Sequence, residues 1–267
     1  GGWSRMFELK TVLATSAGAF FAFLYFSRRK RHVVKESPPH PSWKAGENQP
    51  IPYPGRHVTL LPSELKSCYP LIISAYVPRP IALVSSKSAA GHVNVAPYSY
   101  TGAISHDPPA IVVSCCRKAG DVMKDTLANI LDTKEFVVNI MSEWYAESAN
   151  HTCGNFPPEV NEMDVAGLTP LPSKIISPPR VAESALNFEC RLIHQYDMKN
   201  AQGKVTTTVV IGEIVAFHVH EGVLEMNGAG EGKPTVNFDA LKPLSRLGGC
   251  TYGRTTAVFD LPRLDRA

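Results

Sequence analysis

From residue 79 onward, short apolar runs alternate with turn residues. "RPIALVSS" (79–86) is rich in Ile, Leu and Val and is followed by "SAAG", which ends at Gly91, so it predicts a strand and a turn. "VNVAPYSYTGAIS" and "PAIVVSCC" predict two further strands, separated by the breaker "HDPP". The period then changes. In "DVMKDTLANILDTKE", Val122, Leu127, Ile130 and Leu131 fall on one side of a helix while Lys124, Asp125 and Asn129 fall elsewhere, and Asp121 is placed to cap it. "FVVNIM" predicts a strand, and "SEWYAESANHTCG" a helix opened by Ser142 and closed by Gly154. "SALNFECRLIHQYDM" and "TTTVVIGEIVAFHVHE" predict two long strands in a hairpin around "KNAQGK", and "SRLGGCTYGR" a turn with a terminal strand. Strands at short spacing with occasional helices predict a mainly β barrel with helical insertions. They do not give the strand–helix alternation of a doubly wound sheet.

One strand carries an anomaly. Pro97 stands inside "NVAPYSY", where a proline removes a ladder donor. A break in the ladder there would leave the backbone of residues 94–99 to bond a ligand, and a flat heteroaromatic ring with edge donors and acceptors would suit it.

Before this body the pattern differs. Residues 11–26, "TVLATSAGAFFAFLYF", hold sixteen residues without a charge and stop at "SRRKRH". They predict a hydrophobic N-terminal helix, close to the roughly 17–25 residues of a membrane span. Positive charge after the run exceeds that of Arg5 and Lys10 before it, so if the segment spans, the body is expected on the cytoplasmic side. A mitochondrial targeting segment is the alternative, since arginine is present and acid is scarce. Residues 33–65, with "ESPPHPSW" and "NQPIPYPG", read as a Pro-rich linker. The division expected is therefore an anchor at 1–32, a linker at 33–65 and a folded domain at 66–267.

Composition narrows the function. The chain has 267 residues, 44% of them hydrophobic, enough for a substantial core. Its net charge is +3, and without the +4 of the cluster Arg28, Arg29, Lys30 and Arg31 the remainder is close to neutral, with no nucleic-acid signature. The six cysteines form no CxxC pair and no regular spacing, which favours reduced thiols over disulfides or a metal site.

Three neighbouring segments hold groups suited to a phosphorylated aromatic ligand. Ser85, Ser86 and Ser99 supply hydroxyls; Arg79, Arg117 and Lys124 supply cations; Thr126 sits near a helix N-terminus, where free N–H groups favour anions. Simpler roles stand beside these. Arg79 can satisfy carbonyls near its two prolines, Asp125 can serve the helix dipole, and His218 and His220 are expected to be structural.

"SAYVPRPIALVSS", "GHVNVAPYSYTGAISHDPPAIVVS", "KDTLANI…EFVVNI" and "IGEIVAFHV", in this order over residues 74–253, resemble the flavin reductase-like family of FMN-binding split barrels. The resemblance implies an FMN-binding split β-barrel with Ser85 and Ser86 near the flavin and its ribityl chain. It implies Asn94, Ala96, Pro97, Tyr98 and Ser99 along the isoalloxazine, and Ser114, Arg117, Lys124 and Thr126 around the phosphate. A similar "RLGG…Y" segment makes Arg246, Gly248 and Tyr252 secondary candidates. It further implies a homodimer with flavin near the subunit interface, NADH or NADPH as electron donor, and an oxygenase as a partner that takes reduced flavin. No catalytic acid or base is assigned. Short members often carry a histidine five residues before the glycine of "GE", where this chain has Thr207. The function expected is an FMN-dependent oxidoreductase, with a non-catalytic flavin carrier or sensor on a membrane as the alternative, and a non-flavin interaction protein as a third.

Overall fold

The computed structural model describes residues 33–227 and 232–263. In chain order its strands begin with β1 (Val34–Lys35), β2 (Arg79–Pro80), β3 (Ala82–Lys87), β4 (Val93–Tyr98), β5 (Thr101–His106), β6 (Pro109–Cys116) and β7 (Glu135–Ile140). They continue with β8 (Pro170–Leu171), β9 (Arg180–Val181), β10 (Leu186–Lys199), β11 (Val205–Val219), β12 (Leu224–Asn227) and β13 (Lys233–Val236). The last are β14 (Leu244–Arg246), β15 (Tyr252–Arg254) and β16 (Ala257–Val258). The helices are α1 (Tyr69–Ala75), α2 (Asp125–Thr133), α3 (Ala146–His151), α4 (Glu162–Ala166) and α5 (Phe238–Leu241). The hydrophobic run at 11–26, and with it the whole of the anchor expected at 1–32, lies outside the described residues.

Two compact units are present. The smaller takes in the described parts of Gly1–Trp43 and Thr256–Ala267. In it β1 runs parallel to β16, with Val34 N–H donating to Thr256 O at 2.8 Å, and Lys35 pairs with Asp260.

The larger unit, Lys44–Thr255, is built on a seven-stranded antiparallel sheet in the order β4-β3-β7-β10-β11-β6-β5. The two outermost strands, β4 and β5, are consecutive in the chain and separated only by Ser99 and Tyr100. So short a link forces the sheet to curl until its edges meet, while no ladder joins them, which makes an open, split barrel. The sequence pattern reads residues 93–105 as one strand; the structure divides them at Ser99–Tyr100 and sends the halves to opposite edges. Pro109 opens β6 after a cis Asp107–Pro108 peptide, so the "HDPP" break is the turn of the β5–β6 hairpin. The β10–β11 hairpin turns at "NAQGK", with Gly203 at φ 74°.

The barrel interior is filled from every wall. Ala82, Val84, Tyr98, Ile111, Val113, Cys115, Phe136, Val138, Cys190 and Val210 meet Leu127 and Ile130 of α2 there. Nine residues of helix are too few to hold together alone. Leu127 and Ile130, both fully buried, supply about 1.5–3 kcal/mol each toward docking α2 on the barrel. The helix begins at Asp125 and not at Asp121, because Gly120 (φ 79°) and Asp121 (φ 69°) take left-handed conformations and Lys118 N–H bonds Val122 O at 2.8 Å. That turn removes Asp121 from the capping position and leaves Val122 exposed instead of on the helix face. Lys134, at φ 64°, ends the helix by donating its N–H to Ile130 O.

The other expected helix also divides, into a single 3-10 turn at Glu143–Tyr145 and α3. Ser142 precedes it as expected, but its hydroxyl has no partner and caps nothing. With α4, this region covers the outer face of β3 and β4 through Leu83, Val95, Met141, Tyr145 and Met163. No helix among the described residues is long and apolar enough to cross a membrane.

Candidate functional site

A cleft of about 190 Å3 opens where β4, the N-terminus of α2 and the segment after α3 converge. Asn94, Ala96, Pro97 and Tyr98 of β4 form one wall, Lys124, Asp125 and Thr126 a second, and residues 152–156 with Glu162 a third; Lys118 completes the lining.

The β4 wall owes its character to its edge position. β4 pairs only with β3, and the register runs unbroken through Leu83↔Pro97 to Ala82↔Tyr98. The proline therefore does not break the ladder, contrary to the expectation from sequence. It sits where its nitrogen faces away from β3, the placement an edge strand tolerates. Val95, two residues earlier, points its N–H the same way and donates it to Glu162 Oε2 at 3.1 Å. The backbone groups available beside the cleft are thus those of a sheet edge.

The second wall sets two lysines around one aspartate. Lys124 occupies the N-cap position of α2, and its Nζ lies 5.4 Å from the centre of the Tyr98 ring. Lys118 Nζ is 3.4 Å from Asp125 Oδ2. Thr126, almost wholly buried, stands at the start of the helix with its hydroxyl 2.7 Å from the Asn94 side-chain amide. The Tyr98 hydroxyl is buried beside Thr126 and Cys115, and burial, reinforced by Cys115, holds its pKa well above the usual tyrosine value. Burial likewise pushes the Cys115 thiol up to about 12.

On the third wall, Gly154 lies close under Phe156. A Cβ there would stand 2.5 Å from the Phe156 ring, which folds back over it. Glu162 opens α4, whose N-cap Asn161 accepts from Met163 N–H. The Glu162 side chain is 6% exposed, and burial is the main reason its pKa is raised. With the Asn94 amide nitrogen turned toward it, Glu162 Oε1 accepts at 3.0 Å while the amide oxygen accepts from Thr126 Oγ1 at 2.7 Å.

Of the residues singled out in the sequence, the cleft brings together Asn94, Ala96, Pro97, Tyr98, Lys124 and Thr126. The others have different surroundings. Ser85 is buried on the opposite face of β3, donating to Pro179 O at 2.5 Å and accepting from Asn139. Ser86 faces α2 and accepts from Asn129. Arg79, 2% exposed, spreads its guanidinium over Ile73 O, Tyr76 O, Leu247 O and the Ser99 hydroxyl. Ser114 lies within β6 and bonds Tyr100 O through its backbone. Arg117 bonds Thr208 Oγ1 at 2.8 Å and lies 3.6 Å from Asp197. Arg246 stacks on Tyr252 at 4.4 Å, and Tyr252 donates to Asn150. Gly248 sits in the loop between β14 and β15, near Ser74. His218 is bound to buried Glu189, and His220 accepts from Gly222 N–H.

Sequence reasoning missed Lys118, Glu162 and residues 152–156. The Arg117-Lys118 pair beside the helix start could have flagged Lys118; nothing local marks the other two regions as facing β4. Among the described residues no cluster of His, Cys, Asp or Glu could hold a metal ion, and the six cysteines are free thiols.

Known proteins share this architecture. Nitrilotriacetate monooxygenase component B from Bacillus cereus is 36% identical and superposes with a TM-score of 0.73 over 78% of this chain and 100% of that one. Pseudomonas fluorescens 2-nitrobenzoate 2-nitroreductase is 34% identical, with a TM-score of 0.65 over 79% and 96%. A split barrel domain protein from Shewanella frigidimarina, 21% identical with a TM-score of 0.62 over 80% and 100%, shares the fold. The flavin reductase like domain matches residues 74–239, which span the curled sheet and all three walls of the cleft, and the chain belongs to that family.

Proposed function

We propose that the cleft receives the phosphate end of FMN and that the protein is an FMN-dependent oxidoreductase using NADH or NADPH. The observation that carries this is the convergence of Lys118, Lys124 and the Thr126 helix start on the free edge of β4. The donor set fits the group: Lys124 and the helix N-terminus suit a phosphate, with Lys118 beside them paired to Asp125, and a sheet edge suits a ring with edge donors and acceptors. The cleft is smaller than the roughly 300–1,000 Å3 typical of a ligand site, so it takes part of a flavin nucleotide, and the cations mark which part.

Bound flavin would supply the redox chemistry, accepting a hydride and passing electrons onward. The chain's own residues bind and orient. Asp125 steadies Lys118, Lys124 adds charge at the helix start, and Ala96, Pro97 and Tyr98 wall off water along β4. The similarity to a monooxygenase component and to a nitroreductase supports an oxidoreductase, and the former an oxygenase partner. A homodimer is part of the same reading. Tyr69, Leu71, Ile72 and Tyr76 in and beside α1 are exposed, as are Ile193, Tyr196 and Met198 where β10 extends past β7, and apolar surface of this kind suits a second copy. Thr207, in place of the histidine many short members carry, favours a second reading, a flavin carrier without turnover.

The test compares FMN with riboflavin. Lys124→Ala combined with Thr126→Ala should weaken FMN by about tenfold or more, since each charge-assisted contact is worth roughly 1.5–3 kcal/mol, and leave riboflavin nearly unchanged. Equal losses for both, measured by fluorescence quenching, would remove the phosphate from this cleft. Anaerobic addition of NADH and NADPH to the FMN-loaded protein separates enzyme from carrier: bleaching of the flavin spectrum marks the enzyme.

A further inference from the structure

The segment leading into α1 is exposed along its whole length. Every residue from 44 to 64 lies at the surface, and residues 48–60 make no hydrogen bond among the described residues. The first half, broken by Pro50, Pro52 and Pro54, is unfit for a ladder. The second half is different. Between Gly55, at φ 115°, and Pro62 runs the proline-free stretch "RHVTLL" (56–61). It has the composition of a strand, with Val58 and Leu60 alternating with Thr59, yet it belongs to no sheet of its own chain. Val58 is 76% exposed and Leu60 52%. The chain also holds an open strand edge of similar length. β10 pairs with β7 only as far as Arg191, so among the described residues no strand covers the outer edge of residues 193–199. Ile193, Tyr196 and Met198 are exposed along it, and an uncovered apolar edge of this kind is a template for a further strand.

We propose that residues 56–61 of one copy add as a strand to the β10 edge of a second copy, each copy giving its arm to the other. The inference rests on the homodimer reading and names the segment that holds the two copies together. A two-fold axis makes the exchange reciprocal, so both arms and both open edges gain backbone partners at once. The area is sufficient. Ten large apolar residues between 51 and 77 are exposed. At about 100 Å2 each they leave about 1,000 Å2 in water, against about 800 Å2 per partner in a standard stable interface and a few hundred Å2 for an apolar patch on a monomer. The arm is also inexpensive to desolvate, since Arg56 is the one formal charge in residues 48–62. It leads through the 3-10 turn at Pro62–Glu64 into α1, whose exposed Tyr69 and Ile72 the same reading gives to the second copy.

The test uses the full chain in a mild non-ionic detergent and follows its association by sedimentation over a wide range of concentration. Val58→Asp with Leu60→Asp sets two carboxylates in the apolar contact. It should raise the dimer dissociation constant by about a hundredfold or more and leave the near-UV circular dichroism unchanged, because both side chains are exposed in the single chain. Val58→Cys mixed with a chain carrying His194→Cys, Tyr196→Cys or Met198→Cys should form a disulfide between copies in at least one of the mixtures, and no variant should form it alone. The exposed native cysteines are common to all of these chains and set the background. The backbone amides of residues 57–61 should be protected from hydrogen exchange in the wild-type dimer. A wild-type dimer that survives Val58→Asp with Leu60→Asp overturns the arm and leaves the homodimer standing. Weakened association without the disulfide overturns the pairing with β10, and arm amides that exchange freely in the dimer overturn the added strand. A wild-type chain that stays monomeric throughout overturns the homodimer and the arm with it. Should the charged variant not fold, the disulfide and the exchange of the wild-type amides decide.

Discussion

Glu189 is fully buried in β10, yet its carboxyl is surrounded by donors. Burial pushes its pKa up, but the backbone N–H groups of Lys174, Ile175 and Ile176 and the His218 ring outweigh that and leave it lowered. A carboxylate with a lowered folded pKa stabilises the fold above its unfolded pKa of about 4.3, and that contribution is lost as pH falls through the folded value. Glu189→Gln should therefore cost about 3 kcal/mol or more, measured by urea unfolding at neutral pH, with the deficit shrinking in acid. A loss under about 1 kcal/mol would mean that the 172–179 loop is held by other contacts. The sequence marks His218 as structural but gives no sign of Glu189, because its partners come from a loop about fifteen residues away that no periodicity describes. The cleft shows the same division. Asn94, Tyr98, Lys124 and Thr126 are legible because local motifs carry them, whereas Glu162 reaches β4 only through tertiary packing.

At the scale of elements, apolar enrichment marks the strands well, and backbone conformation decides what it misses. The division at Ser99–Tyr100 and the late start of α2 both depend on how the chain turns, and hydrophobic period does not report that. Pro97 is the instructive case. As its nitrogen faces away from β3, Pro97→Val adds an N–H at the open edge without removing a ladder bond. Stability should change by less than about 0.5 kcal/mol, as for most substitutions that disturb no buried contact. A loss of about 2 kcal/mol in urea unfolding would contradict the edge assignment. Gly212, the glycine of "IGE", behaves oppositely. A Cβ there would lie 2.4 Å from the Phe136 ring, which is fully buried at the centre of the barrel. Gly212→Ala should cost about 1–3 kcal/mol by overpacking, and Gly212→Ala with Phe136→Leu should recover part of it. Additive losses in the double variant would rule out that contact as the cause.

At the scale of the whole molecule, the described residues that form the cleft all fall between Asn94 and Glu162, inside the larger unit and far along the chain from the hydrophobic run at 11–26. We propose that this run attaches the protein to a membrane with the barrel on the cytoplasmic side. Its sixteen uncharged residues, extended by Leu9 and by Lys10 reaching back to the surface, approach the length of a span. The cluster from Arg28 to Arg31 then sets the orientation, since basic residues flanking a span stay on the cytoplasmic face. Removing residues 1–32 should leave the FMN affinity within about twofold, because the cleft is lined by residues 94–162, while releasing the protein from membranes. The measurement is fractionation of full-length and shortened chains with alkaline carbonate extraction and protease protection. Full-length protein that resists carbonate, with its barrel open to protease on the cytoplasmic side, supports the anchor. Full-length protein in the soluble fraction refutes it, and a shortened chain protected inside mitochondria replaces it with a cleaved targeting segment.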